Sequence, residues 1–392
     1  MVSFVAMAQP STATIDHLRA LVAFDTTSVG PNRPLIDHLA GILEDVGADV
    51  TVLPDAADEG KASLLARLGP DEPGGIVLSG HTDCVPTTSQ SWTTDPYRLE
   101  IRGGRAIGRG TTDMKGFLAA MLTAAPTLAA GSLRRPVHLA FSHDEELGAL
   151  SAGELAGLLL PHQPVLAVVG EPTSMRIVEG HKGVRGFRAT IQGRAGHSSR
   201  PNDGANAAVA AARLVAFLDD LAAEVAAGPG DDRFDPPFTT FGVGRIDAGT
   251  ALNVIPETGE VLFEYRPVPG DDTDELERRV RRHVADVLEP RLRQHVPEAS
   301  IDVFAWPPLP SMSPFQDEAA STVLDVIAPD APRDGTAAFG TDGGHFAAAG
   351  IPTVVMGPGD IADAHTANES IDVTELAAAE AFLDRVTAWA TT

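Results

Sequence analysis

Apolar residues recur at helical spacing over residues 14–24 and 34–46, which predicts two amphipathic helices, and a strand-like segment follows at 48–53. The spacing then changes. Four short apolar runs, residues 76–78, 137–141, 165–169 and 352–356, fit strands buried on both faces, with helical stretches such as 114–130 between some of them. That alternation predicts an α/β sheet covered by helices on both faces. From about residue 177 to 304 the order differs: a strand at 184–192, an alanine-rich helix at 205–227, a Gly/Asp/Pro loop at 228–237, strands at 239–246 and 261–266, a helix at 274–288 and a strand at 300–304. The series β-α-β-β-α-β is that of a split βαβ sandwich, which can bury its own core. The predicted organisation is one domain in two parts, residues 1–177 and 306–392, with residues 178–305 inserted as a second domain.

Length and composition permit this. A chain of 392 residues with 43% apolar positions can build a sizeable core. Fifty-four acidic against 29 basic residues leave a net charge of −25, which argues against nucleic acid and anionic membrane surfaces as partners, since both need a basic footprint. Cys84 is the single cysteine, so no internal disulfide can form and a reducing compartment is expected. The string Ala6-Met7-Ala8 has the look of a leader-cleavage site. However, no basic residue precedes Arg19, and the apolar run before it is too short for a leader. No apolar stretch reaches the roughly 18–20 residues that span a bilayer. A cytoplasmic location is expected.

The segments that follow the buried runs carry the chemistry. They are Gly80-His81-Thr82-Asp83, His143-Asp144-Glu145-Glu146, Gly170-Glu171-Pro172-Thr173 and, after the fourth run, Gly357-Pro358-Gly359-Asp360 with His365 a few residues on. Asp113 stands at the start of the 114–130 helix. Sites of open α/β sheets lie beyond the carboxyl ends of the strands, so these acids and imidazoles are expected to converge. Clustered carboxylates repel one another unless positive charge sits among them. Two divalent cations would supply it, and imidazole with carboxylate suits zinc, with cobalt or manganese as alternatives.

At these positions the chain resembles the two-zinc exopeptidase and deacylase superfamily, which includes deacetylases, desuccinylases, aminoacylases and glutamate-releasing carboxypeptidases. Gly80 to Asp83, Gly108 to Gly116, Asp144 to Glu146, Gly170 to Thr173 and Gly196-His197-Ser198 occur in the family's order and, with His365, span nearly the whole chain. The resemblance implies a zinc-exopeptidase-like mixed sheet flanked by helices, with an inserted ferredoxin-like α+β domain that serves as lid and dimerisation surface. It implies that His81, Asp113 and Glu171 hold one metal and Asp113, Glu146 and His365 the other, with Asp113 bridging. Asp83 would orient His81, and Glu145 would be the general base toward a water shared by the two ions. His197 of the partner subunit would stabilise the developing oxyanion, which makes the enzyme a homodimer.

The implied reaction is hydrolysis of the amide of a small N-acyl amino acid. Arg266 and Asn253 match positions that hold the substrate carboxylate in relatives, and a guanidinium suits a carboxylate bidentately. His181-Lys182-Gly183 and the Gly-His-Ser-Ser string look more like the branch that deacetylates ornithine, in arginine biosynthesis, than the desuccinylase branch. Thr341 and Asp342 match a further substrate-contacting string, with aspartate where many deacetylases carry glutamate. Another N-acyl-amino-acid deacylase, a succinyl-diaminopimelate desuccinylase or a dipeptidase is the alternative. Gly108-Arg109-Gly110 and Gly242-Val243-Gly244 lack the third glycine of a dinucleotide fingerprint, and Arg200 stands where a nucleophile elbow needs glycine.

Overall fold

The computed structural model describes residues 9–392, so the Ala6-Met7-Ala8 string lies outside the described residues. The chain divides into two compact units. The first holds the described residues up to Gly180 with Met312–Thr336 and Thr341–Thr392; the second holds His181–Ser311 and Ala337–Gly340.

The first unit is built on a mixed sheet of β1 (Asp49–Pro54), β2 (Ala62–Leu68), β3 (Ile76–His81), β4 (Val137–Ser142), β5 (Leu166–Pro172), β6 (Ile177–His181), β7 (Arg333–Ala337) and β8 (Thr353–Gly357). Their order is β1-β2-β4-β3-β5-β8-β6-β7. At its centre β4 and β5 run parallel to β3, and β8 runs parallel to β5. The β1–β2, β2–β4 and β6–β8 pairs are antiparallel. β3, β4, β5 and β8 are buried along their whole length, which is why they read as unbroken apolar runs. Helices Thr12–Val22, Lys115–Ala130 and Val373–Thr391 pack together through a core that includes Leu18, Phe117, Leu122 and Phe382. Ser11 caps the first of these helices through the Thr14 amide.

Apolar spacing predicts none of β2, β6 and β7, and β2 shows why. Ala62–Leu68 is rich in Ala, Leu and Arg, all good helix formers, yet it pairs on one side with β1 and on the other with β4. Two ladders of backbone bonds override a local preference of a few tenths of a kcal/mol per residue.

The second unit is a four-stranded antiparallel sheet in the order Thr240–Ala248, Thr258–Arg266, Arg185–Gln192, Ser300–Ala305. With its helices Ala207–Ala226 and Thr273–His283 this is the ferredoxin-like arrangement. Thr258–Arg266 alternates buried and part-exposed residues, the signature of a sheet covered on one face. Its core includes Phe187 stacked on Phe263 at 4.9 Å between ring centroids, with Leu214, Leu218 and Val280. The helix expected at 274–288 ends at His283 and continues as a wider turn, Val284–Leu288.

One buried residue of the first unit sets a pH dependence. His138, on β4, is fully buried, neither ring nitrogen has a hydrogen-bond partner, and burial with the neighbouring His162 pushes its pKa down to about 4. Its folded pKa thus lies below the unfolded value of about 6.5, so folding is opposed as pH falls through that window and the full loss is reached below pH of about 4. The expected cost is up to about 3 kcal/mol, and His138→Leu flattens that part of the stability profile. Urea titrations between pH 7 and 4 check this; parallel profiles for the two proteins would disprove it.

Candidate metal centre

The parallel strands β3, β4, β5 and β8 point their carboxyl ends the same way, and the polar strings stand there. His81 is the last residue of β3, Glu145 and Glu146 sit in the short helical turn after β4, and Glu171 lies near the end of β5. Asp113 comes two residues before the helix Lys115–Ala130, and His365 follows β8. The close approach of β5 and β8 needs glycine: a Cβ on Gly357 would stand 2.0 Å from the Gly170 carbonyl oxygen.

Asp113 is central to the cluster. Its Oδ1 lies 2.8 Å from His81 Nε2 and its Oδ2 lies 3.1 Å from His365 Nε2. His365 Nε2 is also 3.0 Å from Glu146 Oε2, and Glu171 Oε1 is 3.8 Å from His81 Nε2. A carboxylate that shows one oxygen to each of two imidazoles has the geometry of a bridge between two cations. Two groups of side chains here offer ligand atoms within 4.8 Å of one another: His81, Asp113 and Glu146, and His81, Glu145 and Glu171.

The donor set fits metal in a second respect. Glu171 Oε1 is buried and has no hydrogen-bond partner, a costly state for a carboxylate oxygen that a cation would relieve. Burial, together with neighbouring carboxylates, pushes Glu145 and Glu171 well above the usual carboxyl range and raises Glu146 as well. Burial alone would lower His81, yet Asp113, Asp83 and Glu171 hold it well above its ordinary value, and Asp113 and Glu146 raise His365 to about 10. The raised imidazoles, held up against burial, report the negative charge gathered around them.

Asp83 lies behind His81. The His81 Nδ1 is 3.0 Å from the Asp83 carbonyl oxygen and 3.6 Å from its Oδ1, while the Asp83 carboxylate accepts the amides of Glu145 and Glu146 at 3.1 and 3.3 Å. It therefore fixes the ring and the turn together.

A buried pair that the sequence reading missed supports Asp113. Glu369 accepts the backbone amides of Gly110, Thr112 and Asp113 at 3.0, 2.9 and 3.0 Å and pairs with Arg109 at 2.6 Å, both side chains being 1% exposed. Nothing in the local sequence marks Glu369, which reaches Asp113 from 256 residues away. Cys84, beside the strand end, is 1% exposed, and burial pushes its thiol up to about 11.

Asp342, at the start of helix Gly343–Ala348, is buried, accepts a hydrogen bond from Ser142 Oγ and is raised to about 6 by burial. Thr341 is buried next to it and accepts the Gly343 amide at 3.1 Å. The remaining residues singled out from sequence belong to the inserted unit. His197 is exposed on a two-residue strand paired with Val254–Ile255, and its Nδ1 lies 2.7 Å from Ser199 Oγ. Asn253 is exposed, and its carbonyl accepts the Ser198 amide at 3.1 Å. Arg266 pairs with Glu264 at 2.8 Å. Lys182 is buried and donates to the Phe238 carbonyl at 2.8 Å.

The profile of peptidase family M20/M25/M40 matches residues 77–388, and the chain belongs to this family of metal-dependent hydrolases. It is 36% identical over 387 residues to an acetylornithine deacetylase of Myxococcus xanthus, a match covering 96% of this chain and 98% of that one. In fold it is similar to a tripeptidase from Staphylococcus aureus, with a TM-score of 0.75, 21% identity and coverage of 99% and 100% of the two chains. It is also similar to a dinuclear metal binding peptidase of family M20 from Bacillus subtilis, with a TM-score of 0.65, 18% identity and coverage of 96% and 97%.

Proposed function

We propose that the protein hydrolyses the amide bond of N-acetylornithine to give ornithine and acetate, with two divalent cations, zinc in the first instance, held by His81, Asp113 and Glu171 and by Asp113, Glu146 and His365. The observation that carries the metal reading is the bridging geometry of Asp113. The substrate reading is supported by likeness to the Myxococcus xanthus deacetylase over nearly the full length of both chains. Bound in this cluster, divalent cations supply Lewis acidity toward the amide carbonyl and make water easier to deprotonate.

The rest falls to the chain's own residues. Glu145 accepts the proton of the attacking water and returns it to the leaving amine, so no covalent acyl-enzyme forms. Asp83 keeps His81 in one tautomer and orientation. Arg266 and Asn253 hold the substrate carboxylate, with Lys182, Thr341 and Asp342 as further contacts. His197 donates to the developing oxyanion from the second copy of a homodimer. The strand Thr240–Ala248 lies at the edge of its sheet with Val243 37% and Ile246 53% exposed, which supports pairing through the inserted unit. Among the described residues no helix is long and apolar enough to cross a membrane, and a cytoplasmic setting agrees with the buried single thiol.

The test compares kcat/KM for N-acetyl-, N-formyl- and N-succinyl-ornithine, N-succinyl-diaminopimelate and a dipeptide. N-acetylornithine is expected to lead by at least about tenfold, the worth of one well-made polar contact. Chelation is expected to remove activity, and zinc or cobalt to restore it. Preference for another substrate would dismiss the acetylornithine assignment, and full activity after exhaustive chelation would dismiss the metal.

A further inference from the structure

The turn that carries Glu145 and Glu146 begins at Asp144, a residue with a side chain held at φ 57° and ψ 31°, in the left-handed region. Aspartate tolerates this conformation better than most residues, but it persists only where the surroundings impose it. The Asp144 carbonyl accepts the Leu147 and Leu150 amides at 3.2 and 3.4 Å, and its carboxylate is held by one lysine. The Lys61 ammonium donates to the two carboxylate oxygens of Asp144 at 2.6 and 2.8 Å and to the Ser28 carbonyl at 2.7 Å, and the ion pair is nearly closed to solvent, with side chains 11% and 10% exposed. Ser28 Oγ donates to Asp83 Oδ2 at 2.7 Å, and Asp83 accepts the amides of Glu145 and Glu146. The contacts close a ring: Lys61, Asp144, the Glu145 turn, Asp83, Ser28 and Lys61 again.

The choice of residue agrees. Of 29 basic residues only three are lysines, Lys61, Lys115 and Lys182. A compact ammonium has three donors that diverge from one atom, which suits three oxygens on two chain segments; the planar fork of arginine suits a single carboxylate.

We propose that Lys61 is a positioning residue: by clamping Asp144 in its left-handed turn, it aims the Glu145 carboxylate. The inference rests on the role given to Glu145 under the proposed function. Lys61→Met keeps the length of the side chain and removes its charge. It is expected to lower kcat about 100-fold, the cost of a misplaced catalytic group, with KM changed less than about twofold. Amide hydrogen exchange of the peptide over residues 144–148 is expected to rise in parallel. Glycine takes left-handed backbone without help, so Lys61→Met with Asp144→Gly, which also removes the orphaned carboxylate, is expected to recover kcat at least about tenfold over the single variant and to restore protection.

Lys61→Arg keeps the charge, but its planar fork does not meet the three oxygens at once, and it keeps the test decisive if Lys61→Met does not fold; it is expected to lower kcat and raise exchange in the same sense. Wild-type kcat and exchange in Lys61→Met or, where that variant does not fold, in Lys61→Arg would overturn the proposal. A double variant no faster than Lys61→Met would do the same. If the wild-type protein turns over none of the acyl amino acids, the functional reading fails while the exchange measurements still decide the part played by Lys61.

Discussion

Glu145→Gln is expected to lower kcat by about 100- to 10,000-fold, the range over which a positioned proton carrier contributes. Gln cannot accept the proton of water, yet it nearly matches glutamate in volume, and the Glu145 amide bond to the Asp83 carboxylate is a main-chain contact that the substitution leaves in place. Metal content, measured by elemental analysis, is therefore expected to stay at the wild-type value, because none of the five proposed ligands is altered. Retained turnover would remove Glu145 from the mechanism. Lost metal together with lost turnover would recast it as a ligand, a reading with a specific basis, since Glu145 offers an oxygen within 4.8 Å of ligand atoms from His81 and Glu171.

Glu369→Ala is expected to cost about 3–5 kcal/mol of stability, the penalty for leaving one partner of a buried ion pair alone. Arg109 would keep its charge at 1% exposure with only Gln90 and the face of Trp92, 5.1 Å away, beside the guanidinium. The amides of Gly110, Thr112 and Asp113 would lose their acceptor as well. Chemical denaturation followed by circular dichroism measures the effect, and Arg109→Met with Glu369→Leu is expected to recover part of it, because no buried charge then remains. A single-variant loss below about 1 kcal/mol would show that water reaches the pair and that its burial is not maintained in solution.

The sequence made legible what depends on short-range pattern. β3, β4, β5 and β8 are unbroken apolar runs because both of their faces are covered, and the polar strings behind them fall where parallel strands end. Arg185–Gln192, Thr258–Arg266 and Ser300–Ala305 were readable as strands because buried and more exposed residues alternate along them, and Ala207–Ala226 as a helix because it is long. β2 was not, since its helix-forming composition is overruled by neighbours distant in the chain. The same limit applies around the site. His81, Asp113, Glu146, Glu171 and His365 stand out as acids and imidazoles in or near the polar strings, whereas Glu369, Ser28 and Lys61 act through partners 33 to 259 residues away along the chain, a relation that spacing cannot carry.

The burial of Cys84 has a practical consequence. Because the native thiol is shielded and reluctant to ionise, maleimide reagents at neutral pH should pass it by. Cysteines substituted at Val29 in the first unit and Leu252 in the inserted one, 81% and 101% exposed, would then be the reactive pair. Donor and acceptor dyes could then be attached at those two points in a protein that needs no prior removal of its own sulfur.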